Sequence, residues 1–128
     1  TLVLPGGLAA VDPGAEIYPS CCAGLEDWRE WFSLLEGGQQ PWLGHDPWPW
    51  VETVHDGFVV WADGGHGMPA TDATPRIHFS RQELADSLSV VAADLSGFVD
   101  RLAIWVGKEL PLAEVDLPAV FARHFGVR

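Results

Sequence analysis

From Ser80 onward the chain carries a repeat that few folds of this size can absorb. Ser80 and Glu83 have the spacing of a capping box, in which each side chain satisfies the other residue's backbone N–H. Beyond them Leu84, Leu88, Val91, Leu95, Phe98, Leu102 and Trp105 recur at alternating steps of four and three. Ala85, Ala92, Val99 and Val106 widen the stripe, and Asp86, Asp94, Asp100 and Arg101 lie mostly off it. The periodicity predicts a helix over about 81–106, about 39 Å long at a rise of about 1.5 Å per residue. A domain of 128 residues is only about 36 Å across. The helix must therefore cross the whole domain, bend near Ser96-Gly97, or extend into a partner. A core helix laid across a small sheet is the leading expectation. A helix-to-helix seam in a homodimer is the next, since three heptads without clean flanking charges do not force a coiled coil.

The remaining elements are shorter. Leu25, Trp28, Trp31, Phe32 and Leu35 follow helical spacing with acids in the first half, and Gly37-Gly38 ends that helix. Trp50–Val54 and Phe58–Ala62 flank His55-Asp56-Gly57, and an Asp-Gly step between alternating apolar runs predicts a β-hairpin. Extended pieces are expected at Leu2–Leu4, Glu16–Tyr18 and Arg76–Phe79, and irregular chain at 39–49 and 63–75, where prolines and glycines collect. Leu110-Pro111 stops the long helix, and Leu117–Phe125 forms a last short one with Val120, Phe121 and Phe125 inward. The fold expected is one α+β domain over 1–128. It has a small, mainly antiparallel sheet with its hairpin at about 50–62, the 81–106 helix packed against the sheet, and two short helices.

Charge then excludes whole classes of function. Eighteen Asp and Glu stand against seven Lys and Arg, a formal net charge of −11. Nucleic-acid binders need a cationic footprint, and anionic membranes repel a chain like this one, so neither is an expected partner. No apolar run approaches the roughly 18–20 residues that span a bilayer. The opening Thr1–Gly7 lacks the features of a signal peptide. The only two cysteines, Cys21 and Cys22, are adjacent and cannot staple distant parts of the chain. A reducing, cytoplasmic location is the expectation, and the excess of Arg over Lys with abundant Gly, Pro and Ala suggests a GC-rich bacterial genome.

Function is sought where tryptophan crowds. Four of the seven Trp fall between residues 42 and 61, beside loops that also carry His and Asp. A hairpin turning at Asp56-Gly57 brings both loops to its open end, so His45, Asp46, Asp63 and His66 are expected to approach one another with indoles as walls. Three readings compete. The rings can fill a small core, with His and Asp bonded to nearby backbone. They can form a recognition surface of Trp42, His45, Trp48, Trp50, Trp61 and His66, since Trp is enriched at interface hot spots. Or His45, Asp46, Asp63 and His66 can make an acid–base or metal site. Cys22 is a further catalytic candidate, because a thiol just before a helix has its pKa lowered, though its partner cannot be assigned from sequence.

Motif resemblances add little. The doublets His45-Asp46 and His55-Asp56 share their letters with metal phosphohydrolases, but they lie among prolines and at a turn instead of on helices. The stretch from Leu25 to Trp42 loosely resembles the start of a family of bacterial toxin-immunity proteins. It lacks that motif's opening Leu-Pro, and Glu36 replaces its Asn. The leading expectation is a non-enzymatic protein-binding domain, of which an immunity-type inhibitor of a basic partner is one form. No cofactor and no metal are expected with it. The alternative is a small enzyme or accessory protein acting on a metabolite or peptide through the His/Asp groups. The third is a dimerising structural domain built on the long helix.

Overall fold

The Asp-Gly step does turn the chain. In the computed structural model, which describes residues 4–127, β3 (Trp50–Val54) and β4 (Gly57–Trp61) form a hairpin with His55 and Asp56 at its tip. Gly57 is required there. Its φ is +150°, and a Cβ would lie 2.1 Å from the carbonyl oxygen of Phe79. β5 (Arg76–Phe79) adds antiparallel to β4, with Phe58 opposite Phe79 and Val60 opposite Ile77. Phe58, Val60 and Ile77 are each 1% exposed, so one face of this three-stranded sheet is core. A separate antiparallel ribbon pairs β1 (Ala10–Asp12) with β2 (Ala15–Ile17), and both strands lie against β5. Asp12 makes its turn, accepting from the N–H groups of Gly14 and Ala15 at 2.7 and 2.8 Å. The architecture is α+β.

The 25–35 segment is helical in two parts. Leu25–Arg29 winds as a 3₁₀ turn and Glu30–Leu35 as α1. Trp28 and Trp31 of the expected apolar face are buried, Leu25, Phe32 and Leu35 are half-buried, and Leu34, outside that reading, is buried as well; Gly37 takes the left-handed φ of +82° that ends such a helix. The long helix α2 runs Arg81–Glu109, three residues past the expected end. Its capping box is formed: the Ser80 hydroxyl accepts from the Glu83 N–H at 3.0 Å, and Glu83 accepts from the Ser80 N–H at 3.2 Å. The Arg81 guanidinium lies 5.2 Å from the centre of the Phe58 ring and donates to the carbonyl of Leu35. No helix among the described residues is long and apolar enough to cross a membrane.

The chain divides into two compact units, the first ending at Ala85 and the second starting at Asp86. The sheets, α1 and the start of α2 belong to the first. The second holds the rest of α2 and α3 (Leu117–His124), which is capped by Asp116 accepting from the Ala119 N–H. In this second unit Phe121 sits between Phe98 and Phe125, with ring centres 5.0 and 4.6 Å away. The apolar stripe of α2 is buried at Leu84, Leu88 and Val99, whereas Phe98 and Trp105 remain 41% and 50% exposed.

Two differences from the sequence reading have plain causes. β1 was not expected, because three residues with only Ala10 buried show no alternation to read. The strand expected at Leu2–Leu4 falls on residues outside those described, save Leu4, which is irregular.

Candidate functional site

The centre of interest forms where two irregular segments meet. Residues 20–22 and 43–45 run antiparallel through one isolated bridge, Cys21 opposite His45. The Ser20 N–H donates to the Leu43 carbonyl at 2.8 Å and the His45 N–H to the Cys21 carbonyl at 3.1 Å. Ser20 also donates its hydroxyl to the Pro47 carbonyl at 2.6 Å, and the Trp42 indole N–H donates to the Cys22 carbonyl at 3.0 Å. Gly44 permits the approach. Its φ is +92°, and a Cβ would stand 2.6 Å from the backbone of Ser20.

This pairing gathers both thiols and an imidazole. In an extended chain consecutive side chains point to opposite faces. Cys22 breaks that alternation with φ +74°, a left-handed conformation uncommon outside glycine. The two Sγ atoms lie 3.1 Å apart, a thiol hydrogen-bond distance. Cys21, Cys22 and His45 each bring a ligand-type atom within 4.8 Å of the others. Asp46 holds His45, with Nδ1 2.9 Å from Asp46 Oδ2. Asp46 is itself left-handed, at φ +57°. Two non-glycine residues in that region within one cluster are the kind of local strain that collects at working sites.

The electrostatics make the two sulfurs unequal. The Cys21 thiol beside Cys22 holds the Cys22 pKa below the ordinary cysteine value, and His45 adds to that effect. Cys21 moves the other way, raised chiefly by the same hydrogen bond to Cys22. Asp46 raises the His45 pKa above the usual imidazole value, with Cys22 contributing second. Both shifts favour a proton moving from Cys22 to His45, with a carboxylate beside the imidazole; Cys21, Cys22 and Asp46 are exposed and His45 is half-buried.

The remaining site candidates surround this cluster in other roles. Asp63 staples the loops. Its Oδ1 accepts from the N–H groups of Trp48 and Gly64 at 2.9 and 2.8 Å, and these bonds hold its carboxyl below the usual range. The Gly65 N–H returns a bond to the Trp48 carbonyl at 3.0 Å. His66 lies against Trp48, ring centres 5.0 Å apart. Trp48 is also edge-on to Trp42 at 5.5 Å and 6.0 Å from the His45 ring. Asp46, Trp48, Asp63 and His66 line one open depression, but only His45 and Asp46 of the four His/Asp candidates bond directly to each other.

Trp50 and Trp61 belong to the sheet. Paired across β3 and β4, they stack at 6.0 Å with an interplanar angle of 8°. Their indole N–H groups are taken by the Asp63 carbonyl and by Glu52. Both rings are half-buried. Sequence reasoning missed the partnership of Cys21 and Cys22 with His45, which rests on a single bridge between loops more than twenty residues apart. Gly44 before His45 was the one available signal.

No family model matches this chain, and no curated protein or solved structure was found similar to it.

Proposed function

We propose that this protein performs thiol–disulfide exchange, with Cys22 as the attacking sulfur, Cys21 as the resolving thiol, and His45 as proton carrier oriented by Asp46. The observation that carries the reading is the gathering of Cys21, Cys22 and His45 within 4.8 Å, with Asp46 fixing the imidazole. An acyl-transfer role would need N–H donors aimed at the place beside the sulfur where the substrate oxyanion forms. The neighbouring Ala23 N–H is instead committed to the Ser20 carbonyl at 3.2 Å.

The chemistry balances with the chain's own groups. Cys22 thiolate attacks one sulfur of a substrate disulfide, the substrate S–S bond breaks, and the released thiolate takes the proton held on His45. Cys21 then gives its proton to His45 and attacks Cys22 Sγ. A Cys21–Cys22 disulfide forms and the second substrate thiol leaves, two electrons having passed from protein to substrate. Run backwards, the same steps oxidise a substrate dithiol. Adjacent Cα atoms are held about 3.8 Å apart, short of the roughly 4.4–6.8 Å that disulfides prefer. The closed form is therefore strained and the couple an oxidising one, so the forward direction goes to completion only with substrate disulfides that are themselves strained or activated.

The protein partner expected from the sequence becomes, in this reading, the owner of the disulfide. It would meet the half-buried rings of Trp42 and Trp48, which flank His45 at 6.3 and 6.0 Å. A second proposal, self-association through the long helix, draws on the exposure of Ile104 and Trp105 at 72% and 50%. Sedimentation over a range of concentrations decides it, and a monomer at every concentration rejects it.

Trapping tests the exchange reading. With an activated aromatic disulfide, wild type is expected to release both aryl thiolates and end as a chain lighter by two hydrogens, with no adduct. Cys21→Ser is expected to stop at a stable mixed disulfide on Cys22, and Cys22→Ser to react far more slowly. Adducts on both sulfurs of wild type, or equal rates for the two single variants, would overturn it.

A further inference from the structure

We infer that Cys21, Cys22 and His45 also form a site for one thiophilic divalent ion of the zinc class, whose binding switches the exchange chemistry off. The inference rests on the same cluster as the proposed function, and adds a ligand that competes for its sulfurs. Among the described residues no other group of His, Cys, Asp and Glu side chains has the spacing to hold a metal ion. Two sulfurs and an imidazole nitrogen are a soft set, suited to Zn(II) or Cd(II) and unsuited to Mg(II) or Ca(II).

The support behind the imidazole is the kind a metal-bound histidine has. Asp46 occupies Nδ1 at 2.9 Å, which leaves Nε2 as the ligand atom and fixes the ring. Two thiolates around a tetrahedral ion with bonds of about 2.3 Å lie about 3.8 Å apart. The observed Sγ separation is 3.1 Å. Both cysteines are exposed, so side-chain rotation alone can open the pair by the remaining distance. Two thiolates neutralise the ion's charge, and two protons leave as it binds, one from Cys21 and one from the Cys22–His45 pair. Three protein ligands leave the fourth position to water, an arrangement open to exchange. Residues 4–75 carry eleven Asp and Glu and one basic side chain, Arg29, so the surrounding field also attracts cations.

While the ion is bound, coordination draws electron density from both sulfurs and holds them at the metal, which lowers their nucleophilicity, and Cys21 has no proton to give. Exchange then waits on metal release.

Cobalt(II), a spectroscopic stand-in for zinc, tests this on the reduced full chain purified without a histidine tag. The expected result is a thiolate-to-cobalt charge-transfer band that saturates at one equivalent and is abolished by added Zn(II). Cys21→Ser and Cys22→Ser should each lose the band's full intensity, and Asp46→Asn should weaken binding by about 10–100-fold. Zn(II)-loaded wild type should release no aryl thiolate from the disulfide probe until a chelator is added. No charge-transfer band in wild type, or a band unchanged by Cys21→Ser and Asp46→Asn, would overturn the metal site. That failure is separable from failure of the exchange reading. A chain that binds no cobalt but still closes its cysteines with the probe loses only the ion, whereas an inert Cys22 in the metal-free chain removes the exchange.

Discussion

At the scale of single residues, the account depends on an asymmetry between two chemically identical neighbours. Cys22 receives a hydrogen bond from Cys21 and faces an imidazole made more basic by Asp46, so its pKa falls while that of Cys21 rises. The sign for reactivity follows directly. Only the thiolate alkylates, so the Cys22 rate is high above its lowered pKa and falls away only as pH drops through that value. In a Cys21→Ser chain, whose hydroxyl still donates, the iodoacetamide profile of Cys22 should have its midpoint below the ordinary cysteine value of about 8.5. Adding Asp46→Asn should move the midpoint upward, because His45 loses the strongest support for its protonated form. A profile that ignores Asp46→Asn would mean the carboxylate does not act through His45.

At the scale of elements, the site depends on how closely two loops approach. Gly44→Ala must place a Cβ at φ +92° and against the Ser20 backbone 2.6 Å away. It should destabilise the fold by about 2 kcal/mol or more in urea unfolding, and return Cys22 toward ordinary reactivity. A variant of wild-type stability would show that the 20–22 and 43–45 segments are not held together as described. Ser80→Ala, which removes the α2 cap and none of the bonds that join the 20–22 and 43–45 segments, should cost about 1 kcal/mol and leave thiol reactivity alone.

These elements also show what a sequence can disclose. The Asp56-Gly57 turn, the alternation of Phe58 and Val60, and the Ser80/Glu83 cap are local patterns, and each became the element it implied. The pairing of Cys21 with His45 has no period and spans a distant contact, so no local pattern announces it. Asp63 was expected to do chemistry, but its carboxylate is committed to backbone N–H groups, a role that depends on where a loop folds back. The crowding of Trp drew attention to the 42–66 loops. It left unread that Trp50 and Trp61 stack on the sheet while Trp42 and Trp48 border the sulfurs.

At the scale of the whole molecule, the acidity is unevenly distributed. With eleven of the eighteen acids and a single arginine in residues 4–75, the site-bearing part of the chain carries most of the net charge. Substrates with cationic flanks should be drawn in and anionic ones held off. A peptide disulfide flanked by lysines should therefore react faster than its glutamate counterpart at low salt, with the gap closing as ionic strength rises. Equal rates at low salt would show that charge plays no part in substrate choice, without touching the sulfur chemistry itself.

The central claim is that this fold makes one of two adjacent thiols a nucleophile and the other its helper. It is tested most directly by treating the reduced wild-type chain with less than one equivalent of iodoacetamide at neutral pH and mapping the label by fragmentation mass spectrometry. The account predicts label concentrated on Cys22 and lost from it in His45→Ala. Label shared equally between Cys21 and Cys22, or favouring Cys21, would contradict it.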